Sequence, residues 1–187
     1  MSPRQPSHPD PGAATAAWHR HESVIGVDEH DNEVGLLPRM EAHLSDPALH
    51  RAFMVLLVDG AGLLLLTRRS EHKLLWPGFW ADSCAGHPRS GESVIEAGER
   101  RVHEELGCTS DLRSLGSFVY RAEYGDVGCE YELCHVLTGP ILGEVSPDAA
   151  EVAEFKSFGP GVLKVLVRQR PDLFVPWLTE CLSVFPF

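Results

Sequence analysis

The chain has 187 residues, 43% of them hydrophobic, with 27 acidic against 16 basic side chains and a formal net charge of −11. That length supports one substantial core rather than two. A surface this acidic excludes a broad footprint on nucleic acid or an anionic membrane, so an anionic substrate needs cations or metal ions placed locally.

Residues 1–20 are rich in Pro, Ala and Ser and lack both the apolar run of a signal peptide and a membrane-length stretch. They are expected to form a disordered tail before a single domain over 21–187. SVIGVD (23–28) and AFMVLLV (52–58) are β-rich runs, and Asp59-Gly60 is a turn signal before LLLLTR, which predicts a hairpin of the second and third runs. GAG at 60–62 joins two strands and has no following helix to aim N–H groups at phosphate, so it is not a nucleotide loop. ESVIEAGERRVHEEL (92–106) predicts a helix with Ile95, Val102 and Leu106 near one face and Gly107 at its end. Segments 117–122 and 130–137 read as strands. Gly159-Pro160 breaks the chain before helices near 162–169 and 173–184, with Pro171 between them and Pro176 bending or delaying the second. Mostly strands, one central helix and terminal helices make an α+β layout. The five cysteines, odd in number and without a CxxC pair, argue against a disulfide framework or zinc knuckle and fit a reducing cytoplasm.

From Gly86, five residues lead to Glu92 and seven more to Arg100, Arg101, Val102, His103, Glu104, Glu105, Leu106 and Gly107. A loop feeding an acidic helix suits divalent cations held against a diphosphate, because carboxylate oxygens match Mg²⁺ and the metal neutralises phosphate charge. The plainer reading is a surface helix with solvated glutamates. The full spacing resembles the Nudix box, which implies a Nudix-type fold of mixed sheets flanked by helices. It departs at Arg101, where a typical Nudix hydrolase has Glu; a guanidinium there removes one metal ligand and repels the cation. Glu105 lies within one helical turn of Arg101.

That departure is shared by one Nudix branch, the type 1 isopentenyl diphosphate isomerases, and further motifs are similar to that family in the same order. They are PRMEAHLSDPALHRAF (38–53), LLLLTRRSEHKLLWPGFWADSCAGHP (63–88), FVYRAEYGDVGCEYELCHV (118–136) and FVPWL (174–178). The resemblance implies a metal-dependent 1,3-allylic proton shift between isopentenyl and dimethylallyl diphosphate. It implies a metal on His43, His50, His87, Glu130 and Glu132, and a Mg²⁺-mediated contact near Glu105. It also implies Arg39, Arg69 and Lys73 on the diphosphate and Trp177 against the hydrocarbon, where its ring can stabilise a tertiary cation. Strand alternation independently places Glu130 and Glu132 on one face, with Tyr131 and Leu133 on the other. Two neighbouring carboxylates repel unless a cation joins them. Three histidines with two carboxylates suit Mn²⁺ or Zn²⁺, and Mg²⁺ less well. Taken singly, each residue has a plainer reading: a structural histidine, a solvated cation, a core tryptophan.

The family's proton groups are a Glu, matched by Glu132, and a Cys two residues before the motif histidine. Here that second position is Ala85, which neither gives nor takes a proton. Cys84 precedes it by one residue, and in an extended segment it points to the opposite face unless a bulge rotates it. Tyr120, placed by the resemblance beside the Glu, is a second candidate donor. Ser157 stands where relatives usually carry Trp, which bears on the shape of the apolar pocket. Three readings stay open: an isomerase with impaired or unusual acid/base equipment, a Nudix hydrolase of a diphosphate ester, and a prenyl-diphosphate-binding homologue without turnover.

Overall fold

A computed structural model describes residues 23–44 and 47–185, so the tail expected over 1–20 lies outside the described residues. The chain opens with β1 (Ser23–Val27), β2 (Glu33–Pro38) and a short helix α1 (Arg39–His43), followed by β3 (His50–Val58) and β4 (Leu64–Arg69). Two short strands, β5 (Trp80–Ala81) and β6 (Cys84–Gly86), lead into α2 (Val94–Leu106). Then come β7 (Arg113–Tyr124), β8 (Gly128–Pro140), β9 (Val152–Phe158), α3 (Pro160–Gln169), a 3-10 turn (Pro171–Leu173) and α4 (Pro176–Val184).

β3 is the spine. It pairs in parallel with β8 from His50↔Glu132 to Val58↔Pro140, and antiparallel with β6 from Phe53↔Gly86 to Val55↔Cys84. A strand bonded on both edges and covered on both faces reads as a continuous apolar run rather than an alternating one. Phe53, Val55 and Leu57 accordingly pack with Val102 and Leu106 of α2, whereas Met54 and Leu56 pack with Leu178 and Cys181 of α4. A mixed sheet thus lies between α2 and the terminal helices, the α+β arrangement expected. The anticipated hairpin joins β3 to β4 at Val58↔Leu64, closed by Asp59, whose Oδ1 accepts the Ala61 and Leu63 N–H groups at 2.9 and 3.0 Å. β4 then leaves β3 and pairs with β9 from Leu64↔Phe158 to Arg69↔Val152.

α2 starts with a reciprocal capping box: Ser93 Oγ accepts the Glu96 N–H at 3.2 Å and Glu96 Oε2 accepts the Ser93 N–H at 2.9 Å. It stops at Gly107, whose φ of 67° is left-handed and sterically costly for any residue with a Cβ. One expectation needs correcting. Ile95 is 39% exposed, and the buried face of α2 runs through Ala97, Gly98, Val102, Glu105 and Leu106. Small residues at 97 and 98 let the helix seat closely against the sheet. Both terminal helices carry proline in their first turn, where its missing N–H costs nothing. Pro176 therefore starts α4, later than the expected 173, and does not bend it. No helix among the described residues is long and apolar enough to cross a membrane.

Candidate active site

The histidines arrive from three elements. His43 ends α1, His50 opens β3, and His87 follows β6; Glu132 is the cross-strand partner of His50. His43 and His50 therefore do not share a helix, yet their ring centroids lie 4.5 Å apart. His87 completes the group at 5.1 Å from His43 and 5.0 Å from His50. One potential ligand atom from each of His43, His50, His87 and Glu132 lies within 4.8 Å of all the others.

Backbone carbonyls set the ring orientation. His43 Nδ1 donates to Arg39 O and His50 Nδ1 to Ala48 O, each at 2.8 Å, which turns both Nε2 atoms inward. His50 Nε2 stands 3.2 Å from His87 Nε2, and His87 Nε2 stands 3.2 Å from Glu132 Oε1. Glu130 Oε2 is buried 3.0 Å from His43 Nε2; burial lowers the His43 pKa, but the Glu130 carboxylate, with Glu132 behind it, outweighs burial and raises it. Three inward ring nitrogens converging on buried carboxylate oxygens fit a divalent metal, which would displace any ring protons and bind both. Burial lowers the His87 pKa well below the ordinary histidine value, helped by the charges of His50 and His43, so its ring is neutral and able to ligate. Burial opposes ionisation of Glu132, but His50, His43 and Tyr120 outweigh it and hold the carboxyl below its usual pKa.

Glu130, Glu132 and Cys134 line one cavity of about 790 Å³. On the opposite face of β8, Tyr131 lies under the Arg121 guanidinium at 5.8 Å and Leu133 packs with Ile25 and Val27. Tyr120 is the register partner of Glu132, and its Oη donates to Glu132 Oε2 at 2.6 Å. Burial, with the charges of Glu132 and Glu130, raises the phenol well above its usual pKa. Glu132 thus presents Oε1 to the histidines and Oε2 to the phenol.

The β3–β6 register pairs Ala85 with Met54 and Cys84 with Val55, without a bulge. Ala85 lines the cavity. Cys84 packs with Val55, Val102 and Leu106 beneath α2, and the structure does not bring it to the cavity wall that holds Glu132. Burial, with the nearby charge of Glu105, raises its thiol well above the usual range.

Arg39, Arg69, Lys73 and Arg101 share the cavity wall, as do Glu105 and Trp177. Arg69 Nη2 donates to Leu75 O at 2.8 Å while its guanidinium carbon sits 5.6 Å from the Trp177 ring centroid. Arg101 Nη1 donates to Glu104 Oε2 at 2.8 Å, and Nη2 reaches Glu105 and, at 3.3 Å, Glu151. Lys73 also pairs with Glu151. Burial works against the Glu151 charge, but Lys73 and Arg101 hold its carboxyl down to about 2. Glu92 braces the box loop, accepting Arg100 Nε at 2.7 Å and the Arg89 N–H at 2.8 Å. Sequence reasoning missed Glu151 and Asp82; the latter is buried and accepts the Trp177 indole N–H at 2.8 Å.

Gly128 opens β8 directly beneath α1. A methyl group there would lie 2.6 Å from the His43 carbonyl oxygen and 3.0 Å from Leu75 Cδ2. Gly128→Ala is therefore expected to push α1 outward and cost about 1–3 kcal/mol of stability. Urea unfolding measures that loss, and calorimetric titration with Mn²⁺ measures the accompanying weaker uptake.

Residues 48–178 match the NUDIX domain family. The isopentenyl-diphosphate Delta-isomerase of Nocardia farcinica is 42% identical over 159 residues, covering 84% of this chain and 91% of the relative. That of Leifsonia xyli subsp. xyli is 41% identical over 162 residues, covering 84% and 88%. Among solved structures, a Deinococcus radiodurans protein superposes with a TM-score of 0.69 at 24% identity, covering 87% of this chain and 98% of that one. The MutT protein of Methanosarcina mazei Go1 superposes with a TM-score of 0.60 at 20% identity, covering 72% and 91%. At those identities the superpositions speak to the fold, while the relatives share sequence across most of their length. The chain belongs to the Nudix family and, within it, to the isopentenyl-diphosphate Delta-isomerases.

Proposed function

We propose that this protein interconverts isopentenyl and dimethylallyl diphosphate by a 1,3-allylic proton shift. The observation that carries the reading is Glu132, one carboxylate shared between Tyr120 Oη at 2.6 Å and His87 Nε2 at 3.2 Å, in a cavity that also holds the cations a diphosphate needs. Arg39, Arg69 and Lys73 grip the diphosphate. His43, His50, His87, Glu130 and Glu132 would hold a divalent metal, Mn²⁺ or Zn²⁺ by donor type, and Glu105 would meet a Mg²⁺ carried by the diphosphate. Bound metal supplies positive charge that keeps Glu132 ionised and offsets phosphate charge.

The reaction adds one proton to the terminal alkene carbon and removes one from C2, so it is redox-neutral and needs acid/base groups on both sides of the carbon skeleton. Glu132 serves one side, and Tyr120 Oη relays a proton to its Oε2. Ala85 leaves the other side without a thiol, and Cys84 faces the core, so turnover is slow. Five free, buried thiols suit a reducing cytoplasm as the setting.

Incubation with isopentenyl diphosphate, Mg²⁺ and Mn²⁺ in D₂O is expected to give dimethylallyl diphosphate carrying deuterium. Phosphate release instead would establish hydrolysis, which the pairing of Arg101 with Glu104 and Glu105 disfavours. Ala85 favours a second reading, binding without turnover; tight binding with no deuterium incorporation would establish it.

A further inference from the structure

Asp82 lies between β5 and β6, in none of the roles assigned above. It is 1% exposed, and its Oδ1 accepts the indole N–H of Trp177 at 2.8 Å. Burying a carboxylate is costly unless it is strongly bonded, and here the principal side-chain donor is the tryptophan. The indole is fixed on other sides by the Trp76 ring, edge-on at 5.2 Å, and the Tyr120 ring at 5.9 Å. It already hosts a cation, since the Arg69 guanidinium carbon lies 5.6 Å from its centroid. An anion on the ring N–H and a cation over the ring reinforce each other, because a charged acceptor polarises the indole and adds electron density to its face.

We propose that Asp82 is a positioning residue for the isomerisation: its carboxylate holds Trp177 by the ring N–H and strengthens the ring face against which the tertiary cation forms. This rests on the reading that Trp177 meets the hydrocarbon. Burial pushes the Asp82 carboxyl up to about 7, against the Trp177 hydrogen bond and the Arg69 charge, so its ionisation changes near neutral pH. The groups around it are Arg69 and Lys73, the carboxylates of Glu105 and Glu151, and the thiols of Cys134 and Cys181. Cys84 lines the same narrow gap as Asp82.

Asp82→Asn keeps the shape and the acceptor while removing the charge. The measurement is the calorimetric affinity, with Mg²⁺ and Mn²⁺ present, of 2-(dimethylamino)ethyl diphosphate, cationic at the reacting position, relative to neutral 3-methylbutyl diphosphate. The cationic-to-neutral preference is expected to fall about tenfold in Asp82→Asn, and to change by less than about twofold when the same substitution is made in Trp177→Phe. An unchanged preference, or an equal fall without the indole, overturns the proposal. In ¹⁵N NMR the Trp177 Nε1–H resonance is expected to shift between the parent and Asp82→Asn, as its acceptor loses its charge; an unchanged resonance overturns the pairing. Should the protein fail to isomerise isopentenyl diphosphate while both results hold, the activity reading fails and the charge-hosting role of Asp82 stands.

Discussion

Ala85→Cys is expected to raise the rate of isopentenyl diphosphate isomerisation by at least about tenfold, and by up to about 10²–10⁴ if the thiol does the full work of a general acid or base. The register decides this. Position 85 pairs with Met54 and lines the cavity, whereas position 84 pairs with Val55 and packs under α2. A thiol at 85 would share the cavity wall with Lys73 and Arg101, whose charges favour thiolate and so widen its acid/base range. Cys84→Ala in the unmodified chain should leave turnover within about twofold, since its thiol lies off the cavity wall that holds Glu132, and should cost about 1 kcal/mol of stability. Steady-state rates and urea unfolding check both. A gain well below tenfold at 85, or a large rate loss at 84, would remove position 85 as the vacant donor site.

The parts of this site that were legible in the sequence are those a local period or fixed spacing dictates. Two-residue alternation put Glu130 and Glu132 on one face of β8, and the box spacing located α2 with its Gly107 terminus. The same alternation anticipated that Cys84 and Ala85 would face apart. Illegible parts depend on contacts between distant segments. Nothing in the seven-residue separation of His43 and His50 announces a five-residue helix followed by a strand start, which is what brings the rings together. Asp82 meets Trp177 across 95 positions, and Glu151 meets Lys73 across 78. Ile95 was misread because the first turns of the helix seat on the small residues Ala97 and Gly98, which turns Ile95 outward while Val102 and Leu106 stay on the buried face. β2 and β9 carry few buried side chains and so show no apolar period.

Glu132→Gln should remove both functions of the carboxylate at nearly constant volume. A glutamine can still accept the Tyr120 hydroxyl with its oxygen, but its NH₂ donor then replaces the acceptor Oε1 that stands 3.2 and 3.6 Å from the Nε2 atoms of His87 and His50. Metal affinity is expected to fall by about 10–100-fold and isomerisation by about 10²–10⁴, read by metal content after dialysis and by deuterium incorporation. Metal content equal to the parent would contradict the coordination assigned here. Glu130→Gln separates the two losses, because Glu130 Oε2 stands 3.0 Å from His43 Nε2 and makes no contact with the phenol. Its defect should be one of metal retention alone, so saturating Mn²⁺ should restore turnover in Glu130→Gln and leave Glu132→Gln inactive. Recovery of both variants would mean that Glu132 acts only as a ligand and that the proton is moved by another group.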